Sequence, residues 1–390
     1  MLESFSFYRT PSILFGIDSI LKLGRISSKW GKKLLLVTGR NSFDNSSYRE
    51  KIETLFSEQS ISYERVSVST EPTDQFIDDV CGRFRNAGIT TVVAIGGGSV
   101  LDSGKAISAI LPVKGSIRDY IEGIATSTHP GTKVPFVAVP TTSGTGSEAS
   151  ANAVITVSGS QEMKRSVRHT SFVPDVAIVD PQLTTSCPKG VTSACGMDTL
   201  TQLIESYVST SASPITDSLV EKALPLIEPN LINAVRDGSD LNARSAMAYA
   251  SLVSGITLAN AGLGAVHGIA PVVGARHSVP HGVACGLLLG PVTEITIDSL
   301  EKKNSEHPIL RKYSRTAELL LSKQAASTKD GCGMLIAYLE KLTSELQIPA
   351  FSEFGVSTAD VESLSKDSNS KKNPVTLNDQ QIAGILMQRI

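Results

Sequence analysis

The stretch Thr91-Val92-Val93-Ala94-Ile95-Gly96-Gly97-Gly98-Ser99-Val100-Leu101-Asp102 reads as a buried strand, a glycine turn and the opening of a helix. Small and β-branched apolar side chains fill a pleated surface that is covered on both faces, so the first five residues suit the middle of a sheet. The same grammar recurs outward from it. Residues 33–38, 62–66, 134–139 and 176–179 read as further strands, and residues 74–87 and 101–110 as helices between them. Strand and helix in repetition dictate parallel strands joined by crossover helices, hence a three-layer α/β domain with a parallel sheet. After Val179-Asp180-Pro181 the strand signal stops, and helical stretches broken by Pro and Gly follow. The expected division is therefore an α/β domain over residues 1–181 and an all-helical domain over residues 182–390. Within the latter, residues 363–372 read as a polar loop and a last helix begins near Asn378.

Length and composition bound the function. A chain of 390 residues is long enough for two domains, and its 41% hydrophobic content supports packed cores. The net charge is -2, with acids and bases interspersed. A basic footprint for nucleic acid or for a membrane surface is absent. No apolar stretch reads as spanning a bilayer, and Met1-Leu2-Glu3-Ser4-Phe5 does not read as a signal peptide. The expectation is a soluble cytoplasmic protein. Five scattered cysteines, with no CxxC pair, argue against a disulfide framework or a thiolate metal site and fit free thiols in a reducing compartment.

Two loops carry the signature of nucleotide binding. In Gly96-Gly97-Gly98-Ser99, ahead of Asp102, glycines let the backbone approach a diphosphate, and the helix that follows presents its N-terminal amides. The spacing is not GxGxxG, so the dinucleotide fingerprint of that name is not implied. Pro140-Thr141-Thr142-Ser143-Gly144-Thr145-Gly146-Ser147-Glu148 is dense in hydroxyls and backbone donors that suit ribose and phosphate oxygens. A plain turn has the same composition.

In the helical half, Asp198 and Gln202 are spaced i, i+4 at what reads as a helix start, which puts both side chains on one face. His267 in Ala265-Val266-His267-Gly268 and His281 in Pro280-His281-Gly282 add two imidazoles without neighbouring charges to explain them. A carboxylate, an amide oxygen and two imidazoles suit a divalent cation such as Fe2+ or Zn2+ with an open position. On residue types alone, four unrelated polar residues remain the alternative.

Taken in order, Gly96 to Asp102 with Lys105, Pro140 to Glu148, Pro174-Asp175-Val176-Ala177-Ile178-Val179-Asp180-Pro181, Gly196-Met197-Asp198, Ala259-Asn260-Ala261-Gly262-Leu263-Gly264 and Pro280-His281-Gly282 resemble the iron-containing alcohol dehydrogenase family. Its fold is shared with dehydroquinate synthase. The resemblance spans nearly the whole chain. It implies a Rossmann-like nucleotide-binding domain, a helical domain, and a metal in the cleft between them held by an aspartate and three histidines. The aspartate falls on Asp198 and two of the histidines on His267 and His281. Asn152 and Lys164 match positions near the cofactor in similar proteins.

The chain departs from the family at three places. Gln202 stands where a ligand histidine is usual, and an amide oxygen is a weaker donor than imidazole. Pro271 replaces a further histidine placed near the reacting oxygen, and proline relays no proton. His277 lies one turn before His281 and is weighed as a substitute or, with more reason, as a loop residue. His129, His169 and His307 read as solvated. Thirdly, Val37-Thr38-Gly39-Arg40-Asn41-Ser42 has Gly39 where NAD-preferring members often carry an aspartate. Without that carboxylate, and with Arg40 and Asn41 following, NADP(H) is favoured over NAD(H). The reading is a homodimeric or larger enzyme that moves hydride between a nicotinamide and a small alcohol or aldehyde. Asp198, His267 and His281 act at the metal, and the loop from Thr141 to Glu148 positions the nicotinamide. A nucleotide-binding descendant without activity and a lyase of the dehydroquinate synthase type are the alternatives.

Overall fold

A computed structural model describes residues 4–159 and 163–390. The chain divides into two compact units, Tyr8–Cys187 and Pro188–Ile390, with residues 4–7 belonging to the second.

The first unit is built on a six-stranded sheet. Its strands are β1 (Ser12–Phe15), β2 (Lys33–Gly39), β3 (Ser62–Val68), β4 (Thr91–Gly96), β5 (Phe136–Pro140) and β8 (Val176–Val179). They lie in the order β1-β8-β5-β4-β2-β3, and every pairing is parallel. Alternate side chains along β2, β4 and β5 serve two cores. Leu35, Val37, Val92, Ala94, Phe136 and Ala138 pack on one face, and Leu34, Leu36, Val93, Ile95, Val137 and Val139 on the other. This two-sided burial explains why these strands read as unbroken apolar runs.

Two further strands, β6 (Asn152–Val157) and β7 (Met163–Arg168), form an antiparallel pair outside the main sheet. They escape a reading based on apolar runs because half their residues are polar and only one face is buried. β1, an edge strand with exposed Ile13, escapes it as well.

The second unit is helical. The Lys189–Val208, Leu241–Ala261, Val266–His277 and His281–Lys303 helices surround one apolar core that includes Met197, Leu200, Met247, Ile269 and Leu288. Three expectations need correction. Asp198 is not at a helix start but in the middle of the Lys189–Val208 helix. The expected loop over residues 363–372 begins instead as the helix Val361–Asp367, while the last helix, Asp379–Met387, is capped by Asn378. The His281–Lys303 helix is also long and apolar enough to cross a membrane, yet 78% of its most apolar window is buried inside the fold, as befits a core helix.

Candidate functional site

In the first unit, register brings the nucleotide loops to one edge of the sheet. Gly96 and Pro140 are partners at the ends of β4 and β5, so both glycine-bearing loops leave the sheet side by side. The Thr141 amide donates to the Gly96 carbonyl at 3.0 Å. A Cβ on Gly97 would lie 3.4 Å from the Thr142 side chain, and one on Gly98 only 2.6 Å from that of Thr145. Gly98 is therefore required for the two loops to nest. Gly39 ends β2, the neighbour of β4 on its other side, and Arg40 and Asn41 follow it. Chain order reverses between β2 and β4, and the crevice outside such a reversal is where α/β sheets bind ligands.

Other predicted cofactor residues hold this cradle together. The fully buried Lys105 ammonium donates to Ser147 Oγ at 2.9 Å, Ser150 Oγ at 3.1 Å and the Asn152 carbonyl at 2.7 Å. The Asp102 carboxylate accepts from the Ser147 hydroxyl and from the Val154 amide, so both its oxygens face protein. These bonds tie the Gly98–Ile110 helix to the loop that starts at Thr141. Burial pushes Lys105 down to about 8, against Asp102 and Glu148, and pushes Glu148 up to about 7. Lys164 pairs with Glu71 at 2.7 Å. Gly96 and Ser99 sit at the turn itself, and Ser143 lies beyond Thr142 in the second loop.

In the second unit, three helices bring the candidate cation donors together. Gly282 lets the His281–Lys303 helix lie against the Lys189–Val208 helix, because a Cβ there would collide with the Ala194 carbonyl. His281 and Cys285, one turn apart, thereby reach Asp198. Asp198 Oδ1 lies 3.3 Å from His267 Nε2 and 3.8 Å from His281 Nε2. Cys285 Sγ lies 3.9 Å from His267 Nε2 and 3.6 Å from His281 Nε2. One ligand atom from each of these four residues falls within 4.8 Å of every other. Asp198 Oδ1 is buried and accepts no hydrogen bond among the described residues. An orphaned buried carboxylate oxygen beside two imidazole nitrogens fits a missing cation.

The surroundings orient these donors. Glu205, three residues beyond Gln202 on the same helix and buried, accepts from His267 Nδ1 at 2.7 Å and from the Val266 amide at 2.7 Å. A proton on Nδ1 leaves the Nε2 lone pair aimed at Asp198. Gln202 is beside the cluster, but its amide oxygen accepts from Ser254 Oγ at 2.7 Å. Burial raises the Asp198 pKa, yet His281, His267 and the Gln202 amide outweigh it and hold the carboxyl below its usual range. Burial likewise opposes charge on His267, but Cys285, Asp198 and Glu205 raise it well above the ordinary histidine range. The cluster thus favours positive charge at its centre. Burial pushes the Cys285 thiol up to about 12, with His267 acting against it.

His277 is outside the cluster, with its Nε2 3.8 Å from Asp360. Pro271 lies inside the Val266–His277 helix. His129 is not solvated as expected. It is buried, bonded through Nε2 to the Ala109 carbonyl, and set edge-on to Phe172. Sequence reasoning missed Cys285 and Glu205. The i, i+4 step from His281 and the i, i+7 step from Asp198 place both on the faces that matter, and those spacings were the available signal.

Residues 10–181 match the family model described as iron-containing alcohol dehydrogenase, and residues 192–390 match that of the Fe-containing alcohol dehydrogenase family C-terminal region. The chain is 36% identical over 392 residues to a 1,3-propanediol dehydrogenase of Klebsiella pneumoniae, covering 98% of each. It is 33% identical over 390 residues to an NAD-dependent methanol dehydrogenase of Bacillus methanolicus, again covering 98% of each. A crystal structure of a 1,3-propanediol oxidoreductase superposes with a TM-score of 0.89 at 33% identity, covering 100% of both chains. With both halves matched in order along nearly the whole chain, the chain belongs to the iron-containing alcohol dehydrogenase family and is an alcohol dehydrogenase.

Proposed function

We propose that this enzyme moves hydride reversibly between NADP(H) and a short-chain alcohol or its aldehyde, with a divalent cation held by Asp198, His267 and His281. The observation that carries the reading is Asp198 Oδ1, buried without a hydrogen bond and faced by the two Nε2 atoms. When bound, the cation supplies Lewis-acid polarisation of the substrate oxygen and the nicotinamide accepts or donates the hydride. The chain's own residues prepare for this. Asp198 stays ionised, Glu205 fixes the His267 tautomer, and the half-exposed His281 marks the side open to substrate. The nested loops that follow β4 and β5 present amides and hydroxyls to the dinucleotide. Short substrates are suggested by the methanol and 1,3-propanediol named for the relatives.

The preference for NADP(H) is supported by the absence of a carboxylate at Gly39 and by Arg40, which is exposed and forms no ion pair among the described residues. A homodimer or larger assembly belongs to the same reading. The edge strand β1 carries exposed Ile13, and exposed Ile17 and Leu21 follow it, a surface that light scattering on the purified protein can show to be covered. A cytoplasmic setting accords with the five free cysteines.

Metal analysis of purified protein, with NADPH and NADH oxidation measured over short aldehydes, tests the function. Asp198→Ala is expected to lose both bound metal and aldehyde reduction. A variant that keeps wild-type turnover would refute the cation's role.

A further inference from the structure

We infer that Cys285 Sγ is the fourth protein ligand of the cation, taking the place that an imidazole at position 202 would fill, and that the site therefore selects Zn2+ over Fe2+. The inference rests on the cation reading proposed above. A tetrahedral ion with bonds of about 2.0–2.1 Å to nitrogen and oxygen and about 2.3 Å to sulfur sets ligand edges of roughly 3.3 Å for N···O and roughly 3.6 Å for N···S. The cluster has N···O separations of 3.3 and 3.8 Å and S···N separations of 3.6 and 3.9 Å. Two of these edges match and two are longer by a few tenths of an ångström, and all four donor atoms lie within 4.8 Å of one another, so a small contraction brings them onto one centre.

Gln202 is poorly placed for that role. Its oxygen accepts from the Ser254 hydroxyl at 2.7 Å. The donor lost one turn after Asp198 is thus replaced one turn after His281, from the other helix. As the Sγ–metal bond forms, the thiol proton leaves to solvent, and the ligand set becomes one carboxylate, two imidazoles and one thiolate. Thiolate is a soft donor and favours Zn2+, which also lies above Fe2+ in intrinsic affinity for nitrogen and sulfur sites. Cys285 is wholly buried at the border of the apolar core, with its sulfur within 3.6 Å and 3.9 Å of two imidazole nitrogens.

Cobalt substitution of the full-length protein tests this independently of turnover. Co2+ added to metal-stripped wild type is expected to give visible ligand-field bands and, in addition, a thiolate-to-cobalt charge-transfer band in the near ultraviolet. Cys285→Ser is expected to keep the ligand-field bands, lose the charge-transfer band and bind Zn2+ upwards of about 100-fold more weakly, beyond what loss of an outer supporting group costs. Gln202→Ala is expected to keep the charge-transfer band. Should Cys285→Ser not fold, the wild-type and Gln202→Ala spectra decide alone. Ligand-field bands in wild type without the charge-transfer band would overturn the thiolate and leave the cation reading intact. No cobalt spectrum at all would overturn both. Metal analysis after growth with equal iron and zinc is expected to find zinc, and an iron-loaded protein would overturn the selectivity.

Discussion

Glu205→Gln tests how the site prepares its histidine. The carboxylate is buried and accepts two hydrogen bonds of 2.7 Å, one from the Val266 amide and one from His267 Nδ1. Glutamine has one accepting oxygen, so it can serve only one of these donors. If the oxygen keeps the Val266 amide, the new NH2 group faces Nδ1, which must then accept. The imidazole proton moves to Nε2, the atom that faces Asp198 and the cation. Loss of a hydrogen bond to a charged group costs about 1.5–3 kcal/mol, and loss of such outer-shell support weakens metal binding by roughly 10–100-fold. The two ranges agree, since about 1.4 kcal/mol is a factor of ten. The assay is Zn2+ titration of metal-stripped protein against a competing chelator, with circular dichroism to confirm folding. Glu205→Asp, one methylene shorter, is expected to lose a similar amount because it cannot span both donors. A folded Glu205→Gln protein with wild-type zinc affinity would refute the argument that Glu205 sets the tautomer.

Gly39→Asp is expected to weaken NADPH far more than NADH, since a unit charge about 6 Å from a dianionic phosphate costs roughly 2 kcal/mol at an effective dielectric of about 60, or about 20-fold in affinity. A Cβ at Gly39 meets the Ser42 hydroxyl, so Gly39→Ala is the steric control, and equal losses for Ala and Asp would show that charge is not what is read. Glu148, pushed up to about 7 by burial, holds its proton in the folded state between its ordinary 4.5 and 7, where the unfolded chain releases it. Its contribution to stability therefore falls as pH rises through that window, by roughly 2–3 kcal/mol. Urea midpoints should show Glu148→Gln gaining on wild type between pH 5 and pH 8, and parallel profiles would contradict the burial argument. Gly282→Ala drives a Cβ against the Ala194 backbone, so a loss of about 1–3 kcal/mol in stability is expected together with weaker cation binding as His281 and Cys285 are moved from Asp198; a variant unchanged in both would show that this close approach is not needed.

The residues 33–39, 91–96 and 136–140 announce themselves as strands because burial on both faces demands β-branched and apolar side chains at nearly every position, and that demand is local and visible in the chain. The glycine turn after β4 is legible for the same reason, since its conformation and the amides that follow are properties of adjacent residues. Asp198, His267 and His281 were legible through motif order. β6 and β7 were not, because their stability depends on each other and on one buried face, which no single run of residues encodes. The sequence reading put Gln202 in the donor set and passed over Cys285 for a like reason. Gln202 and Cys285 are each one helical turn from a ligand, on different helices, and spacing alone ranks them equally. Packing separates them. Ser254, from the Leu241–Ala261 helix, captures the Gln202 oxygen, while Gly282 lets the His281–Lys303 helix carry the Cys285 sulfur to within 4 Å of both imidazoles. Periodicity is a property of one element, whereas a coordination shell is a meeting of several, and only the tertiary structure sets their distances.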